Sequence, residues 1–198
     1  MKKTGAIIVA AGLSSRMHDF KPMLPFSKST IARHNVAMFK ALGLEPIVVI
    51  TGYRAEELEE HLVSAGVHFK RNEDYETTEM FDSIKLGIKE LIDKCDRMLI
   101  MPIDIPAIFE DTYRAVLAEN AHIVRASHDG RPGHPIVIDK ETAMEFLDYH
   151  GENGLKGAIH AHSIPPVDVE VFDEGINRDV DTPEEYNELI KWHDNQNK

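Results

Sequence analysis

Short apolar runs and amphipathic stretches alternate along the first hundred residues. Ala6 to Ala11 is continuously apolar, as a strand buried on both faces requires. Ile47-Val48-Val49-Ile50 reads as a second strand, ended by Thr51-Gly52. From Ala55 to Ala65 the pattern is helical, with Leu58, Leu62 and Ala65 on one face and glutamates on the other. Val67-His68-Phe69 is a brief third strand. Asp82 to Ile92 is again helical, with Ile84, Ile88, Leu91 and Ile92 at helix spacing, and Arg97 to Met101 is a fourth strand. This order predicts an α/β fold of three layers, α/β/α, whose mostly parallel, Rossmann-like sheet is covered by helices on both faces.

The rhythm then changes. Ile123–Ala126 and Pro135–Ile138 flank the turn-rich stretch SHDGRPGHP, which predicts a hairpin or a small antiparallel ribbon. Val167 to Phe172 alternates and reads as a last strand. Thr182-Pro183-Glu184-Glu185 has the form of a capping box with Pro at the first helical position, so a helix is expected through Trp192. The polar tail, 191–198, is expected to fray. With no internal repeat, low-complexity tract or linker, residues 1–198 read as one domain.

Composition narrows the function. The formal charge of −12 argues against a nucleic-acid partner, which needs clustered Lys and Arg. Any anion site on this chain is therefore a local positive pocket. No run approaches the ~20 apolar residues that span a bilayer, so no membrane partner is expected. Met1-Lys2-Lys3 before an apolar run imitates a signal peptide, but the run is short and leads into Ser14-Ser15-Arg16-Met17, so a buried first strand is the better reading. Cys95 is the only cysteine, which precludes an internal disulfide and fits a reducing cytoplasm. The histidines are scattered without HxxxH or CxxC spacing, so zinc has little support, and His160 and His162 read as surface or packing residues.

Three segments carry candidate chemistry, each just beyond a strand or before a helix. The loop Gly12 to Lys21 combines small residues with two cations, Arg16 and Lys21, a combination suited to a polyphosphate. Neither GxGxxG nor GxxxxGK[ST] is present, so a dinucleotide enzyme or a P-loop NTPase is not indicated. In Pro102-Ile103-Asp104-Ile105-Pro106 a carboxylate stands between two prolines after a buried strand, where it can hold Mg²⁺ or serve as a turn or cap aspartate. In Asn177-Arg178-Asp179-Val180-Asp181-Thr182 alternation places Asp179 and Asp181 on one side, as metal ligands or as support for the helix start.

Taken together, AAGLSSRM…KPMLP, then PIDIP, then DVDTPEE resemble the MobA-like nucleotidyltransferase family, nearest its molybdenum-cofactor cytidylyltransferase branch. Ala10-Ala11-Gly12, Ser14, Arg16-Met17, Lys21, Leu24 and Pro25 match the family's first loop. Asn72 to Gly87, Gly130–Pro135 and Gly151–Lys156 resemble later family segments, so the likeness covers nearly the whole chain. Three departures stand out: His18 replaces a usual Gly, Lys156 replaces an Arg, and Glu79 and Asp82 stand where many relatives have small residues.

The resemblance implies a nucleotide-diphospho-sugar-transferase-like fold and a reaction in which an acceptor phosphate attacks the α-phosphorus of a nucleoside triphosphate and pyrophosphate leaves. Arg16 and Lys21 would hold the β- and γ-phosphates, and Asp104 with Asp179 or Asp181 would hold Mg²⁺. Backbone at Ala10, Ala11, Gly12 and Ser14, with Gly52 and Ser83, would bind the nucleotide, and the AAG form of the loop points to CTP. His134 and Lys156 would face the acceptor, molybdopterin or a sugar, polyol or choline-type phosphate. A non-catalytic nucleotide-binding regulator is the alternative of another class.

Overall fold

The computed structural model describes residues 2–17 and 19–196; His18, one of the departures in the first loop, lies outside them. Seven strands form one sheet: β1 (Thr4–Ala10), β4 (Ile47–Thr51), β5 (His68–Arg71), β6 (Arg97–Pro102), β7 (Ile123–His128), β8 (Arg131–Asp139) and β9 (Val167–Glu170). Their order is β5-β4-β1-β6-β8-β7-β9, and β8 alone runs against the others. A separate antiparallel pair, β2 (Pro25–Phe26) with β3 (Ser29–Thr30), has no counterpart in the sequence expectations. The hairpin expected at SHDGRPGHP also forms, but both its arms, β7 and β8, run into the main sheet.

The central strand shows why the layers form. Along β1, Ala6, Ile8 and Ala10 enter one core, while Ile7 and Val9 enter the other. The first core is covered by α1 (Ile31–Ala41), α2 (Ala55–Leu62), α4 (Glu110–Ala118) and α7 (Pro183–Gln196). The second is covered by α3 (Met80–Leu91), α5 (Lys140–Asp148) and α6 (Gly154–Ala161). A strand apolar at every position is what a sheet buried on both faces demands.

Several boundaries differ from the sequence reading. The helix expected from Asp82 begins at Met80, because the Asp82 carboxylate turns back to accept the Glu79 backbone N–H at 2.9 Å. The helix from Ala55 tightens into a 3-10 turn at Val63–Ala65. At the C-terminus the capping box forms as expected: Thr182 Oγ1 accepts from the Glu185 N–H, and the Glu185 carboxylate accepts from the Thr182 N–H at 2.9 Å. The helix it starts runs to Gln196, past Trp192 and through most of the stretch expected to fray. The structure adds α1, α4, α5 and α6, for which the sequence pattern predicts no element.

Packing of α3 on β1 has one tight point. A Cβ at Gly87 would lie 2.5 Å from Ile7 Cγ2, so the helix approaches the central strand only because that side chain is missing. Gly87→Val is expected to destabilise the fold by about 1–3 kcal/mol, the cost of overpacking a filled core. Urea denaturation midpoints measure it.

Candidate active site

The loop after β1 is anchored from below. Met17 and Phe20 are buried in the first core, and Phe20 meets Tyr53 edge to face at 5.9 Å. This fixes Lys21, whose side chain is 10% exposed and projects towards the C-terminal ends of β1 and β6. The loop after β6 is fixed as firmly. Ile103 donates its N–H to Val9 O at 2.9 Å, and its carbonyl accepts from the buried Asn35 amide at 3.1 Å. Asp104 therefore has little freedom, and its carbonyl accepts the Val180 N–H at 2.9 Å. That last bond brings the segment before α7 to the same place.

Three remote pieces of chain thus meet in one charge cluster. Lys21 Nζ lies 3.2 Å from Asp104 Oδ2 and 2.6 Å from Asp181 Oδ1. The exposed Arg16 guanidinium lies 2.5 Å from Asp181 Oδ2. Val180 is buried between the two aspartates. Of the pair left open by alternation, Asp181 faces Lys21, whereas Asp179 is exposed and shows no ion pair among the described residues. Burial pushes the Asp104 carboxyl up, against the pull of Lys21. For Asp181 burial also pushes upward, but the bonds from Lys21 and Arg16 together outweigh it and the group is held below its ordinary value.

Beside this cluster opens a cavity of about 180 Å³. Ala10, Ala11, Gly12 and Ser14 form one wall, and Ser83 with Asn72 forms another. Asn72, absent from the site residues chosen from sequence, is buried. Its Nδ2 donates to Ser83 Oγ at 3.0 Å and to Thr78 Oγ1 at 2.9 Å, and its Oδ1 accepts from the Asp74 N–H at 3.1 Å. Glu79 also lines the cavity, while Asp82 is spent on the start of α3. Gly52 does not line it. A Cβ there would lie 2.8 Å from both Ala11 O and Tyr75 Cβ, so this glycine lets the end of β4 close on the first loop.

The two proposed acceptor residues stand apart from the charge cluster. The β6–β8 ladder ends where Ile100 pairs with Ile136, two residues short of His134. His134 Nε2 is buried with no hydrogen-bond partner among the described residues, and burial pushes the imidazole down to about 4. Lys156 is exposed near the start of α6, whose Gly154 would place a Cβ 3.4 Å from Glu79 Oε2. Neither residue lines the cavity.

Oxygen donors from Asp104 and Asp181 converge on one point, now held by an ammonium, and an all-oxygen set of this kind suits a hard divalent cation. A second group able to ligate a metal, His122, Asp139 and Glu141, lies at the opposite end of the sheet, where Asp139 pairs with Arg97 across the β6–β8 ladder. Asp139 there is already engaged, by the His122 ring at 2.8 Å and the Thr142 N–H at 2.9 Å.

The chain as a whole is similar to known proteins. The model of the MobA-like NTP transferase domain matches residues 6–167. A molybdenum cofactor cytidylyltransferase from Escherichia coli is 29% identical over 94% of this chain and 95% of its own length. A nucleotidyl transferase from Methanothermobacter superimposes with a TM-score of 0.85 at 19% identity, covering 98% of this chain and 99% of that one. A Mycobacterium tuberculosis protein solved in complex with manganese superimposes with a TM-score of 0.81 at 19% identity, covering 96% of this chain and 98% of the other.

Two half-buried histidines make stability depend on pH. Burial holds His134 at about 4, and burial, with His193 nearby, holds His34 at about 4, against an ordinary 6.5. Between those values the unfolded chain binds protons that the folded chain refuses. Stability is therefore complete above about pH 6.5 and falls as the pH drops towards about 4. His134→Asn is expected to lose less stability than the parent between about pH 7 and about pH 5, as read from urea midpoints at each pH.

Proposed function

Because the chain belongs to the MobA-like NTP transferase family and is a nucleotidyltransferase, we propose that it moves CMP from CTP onto a phosphate-bearing small molecule, with Mg²⁺, and releases pyrophosphate. The observation that carries this reading is the pairing of Lys21 with Asp104 and Asp181 beside a cavity walled by the Ala10–Ser14 loop. Two polyanions must meet, so the site needs cations and positioning more than a strong nucleophile. Lys21 and Arg16 turn to the β- and γ-phosphates and stabilise the charge that develops on pyrophosphate. Amides of Ala11 to Ser14 add donors to the same phosphates. Asp104 and Asp181 hold the divalent cation, which when bound supplies Lewis acidity at the α-phosphate. No general base is needed, since an acceptor phosphate is already ionised.

The base lies against Ala10 and Ala11 and faces Ser83, whose hydroxyl the Asn72 amide holds in place. The name of the Escherichia coli relative supports cytidine and makes molybdopterin the first acceptor to test. His134 and Lys156 are the acceptor-side residues that the family resemblance implies; since neither lines the cavity, an acceptor held by them would lie outside it, with the exposed Lys156 offering a charge. A sugar, polyol or choline-type phosphate is favoured by one observation, the Glu79 carboxylate on the cavity wall, which can accept hydroxyls or face a cationic head group. We place the reaction in a reducing cytoplasm, where the single buried thiol of Cys95 is stable, with the whole chain working as one domain. Among the described residues no helix is long and apolar enough to cross a membrane.

Pyrophosphate release from a panel of four nucleoside triphosphates, each with molybdopterin or the other phosphates, tests the reading. Turnover is expected with CTP. Nucleotide binding without pyrophosphate release under any pairing would favour the non-catalytic regulator. Asp104→Asn is expected to abolish metal-dependent release with an unchanged circular dichroism spectrum. Lys21→Ala is expected to lower kcat/KM by about 10²–10³-fold, equivalent to about 2.7–4 kcal/mol for one electrostatic contact.

A further inference from the structure

The charged groups of this site are spent on one another. Both carboxylate oxygens of Asp181 are engaged: Oδ1 by Lys21 Nζ at 2.6 Å, Oδ2 by Arg16 at 2.5 Å. Lys21 also reaches Asp104 Oδ2 at 3.2 Å. These two cations are the groups a polyphosphate requires, and these two carboxylates are the groups a divalent cation requires. A divalent cation would need to come within ~2.0–2.1 Å of a carboxylate oxygen, and each Asp181 oxygen already carries a positive group. A polyphosphate arriving alone must compete with the carboxylates for the same ammonium and guanidinium.

We propose that Arg16, Lys21 and Asp181 form a charge-exchange latch, closed in the free protein and opened jointly by a polyphosphate and a divalent cation. The inference rests on the nucleotidyl-transfer reading and adds to it a coupling between its two ligands. A polyphosphate draws the two cations off Asp181 and uncovers its oxygens. A divalent cation takes those oxygens and releases Arg16 and Lys21 to the phosphates. Each ligand so prepares the site of the other, and the coupling is reciprocal by linkage. The backbone does not take part in the exchange. Asp181 donates its N–H to the Glu185 carboxylate at 3.1 Å, and the preceding residue, Val180, is bonded to Asp104 O at 2.9 Å. Only side chains move: Arg16, with 70% of its side chain exposed, swings freely, while Lys21 pivots on a buried stem.

Equilibrium binding without turnover tests the latch. Mn²⁺ alone is titrated by electron paramagnetic resonance, and CTP in excess EDTA by calorimetry. Arg16→Ala should tighten Mn²⁺ binding in the absence of nucleotide by about fivefold or more, and Asp181→Asn should tighten metal-free CTP binding by a similar factor. Lys28→Gln and Glu184→Gln make the same charge changes at exposed positions and should shift either affinity by no more than about twofold. Unchanged Mn²⁺ affinity in Arg16→Ala, with unaltered thermal melting, overturns the latch. Equal effects in the two control variants overturn it too, since net charge alone would then account for the result. If the parent protein binds no CTP with or without metal, the CTP reading fails, and the Mn²⁺ titration still decides the latch.

Discussion

Everything at the ligand edge of this sheet depends on one buried ammonium. A lysine taken out of water must be paired, or its desolvation would count against the fold. Lys21 meets that requirement with carboxylates 83 and 160 residues away in sequence. The contact ties the loop after β1 to the loop after β6 and to the segment before α7. Losing either carboxylate would still leave the ammonium paired with the other, so the contact is shared among the three segments. A neutral cluster of two cations and two anions also reconciles an anion site with a chain of charge −12.

The scaffold is arranged to keep that cluster in register. Parallel neighbours β1 and β6 end side by side, so their following loops emerge together, as ligand loops do in open α/β sheets. Asn35 on α1 reaches across to Ile103 O, and Val180 bonds to Asp104 O. Polar groups at the strand ends are satisfied by remote chain, which makes their positions a property of the whole fold rather than of the loops. A nucleotidyltransferase benefits from such rigidity because its chemistry is mainly the placement of charged groups.

Much of this is legible in the sequence, and the reasons are physical. Apolar runs such as Ala6 to Ala11 admit one reading in a sheet covered on both faces. Thr182-Pro183-Glu184-Glu185 carries its own hydrogen-bonding logic, so those four residues alone mark the start of α7. Arg16, Lys21 and Asp104 can be found because cations and a carboxylate at strand ends are chemically distinctive. Between Asp179 and Asp181 alternation does not choose, since the choice depends on a tertiary bond from Val180 to Asp104. Asn72 escapes because its significance lies in which hydroxyls it touches, and spacing does not reveal that. Gly52 reads as a binding position, and the close approach of Ala11 O and Tyr75 that its missing side chain permits is visible only in the fold. The four helices without a sequence expectation have weaker periodic signals, and tertiary packing completes them.

One strand of the sheet is laid the other way, and this has an evolutionary corollary. A forward strand delivers its last residues to the ligand edge, whereas β8, reversed between β6 and β7, delivers its first. The hairpin tip around Asp129-Gly130 and the opening residues of β8 therefore project towards the side where a second substrate would approach. On the proposed reading, insertions or exchanges in that hairpin would change the acceptor side while leaving β5, β4 and β1, at the other end of the strand order, as they are.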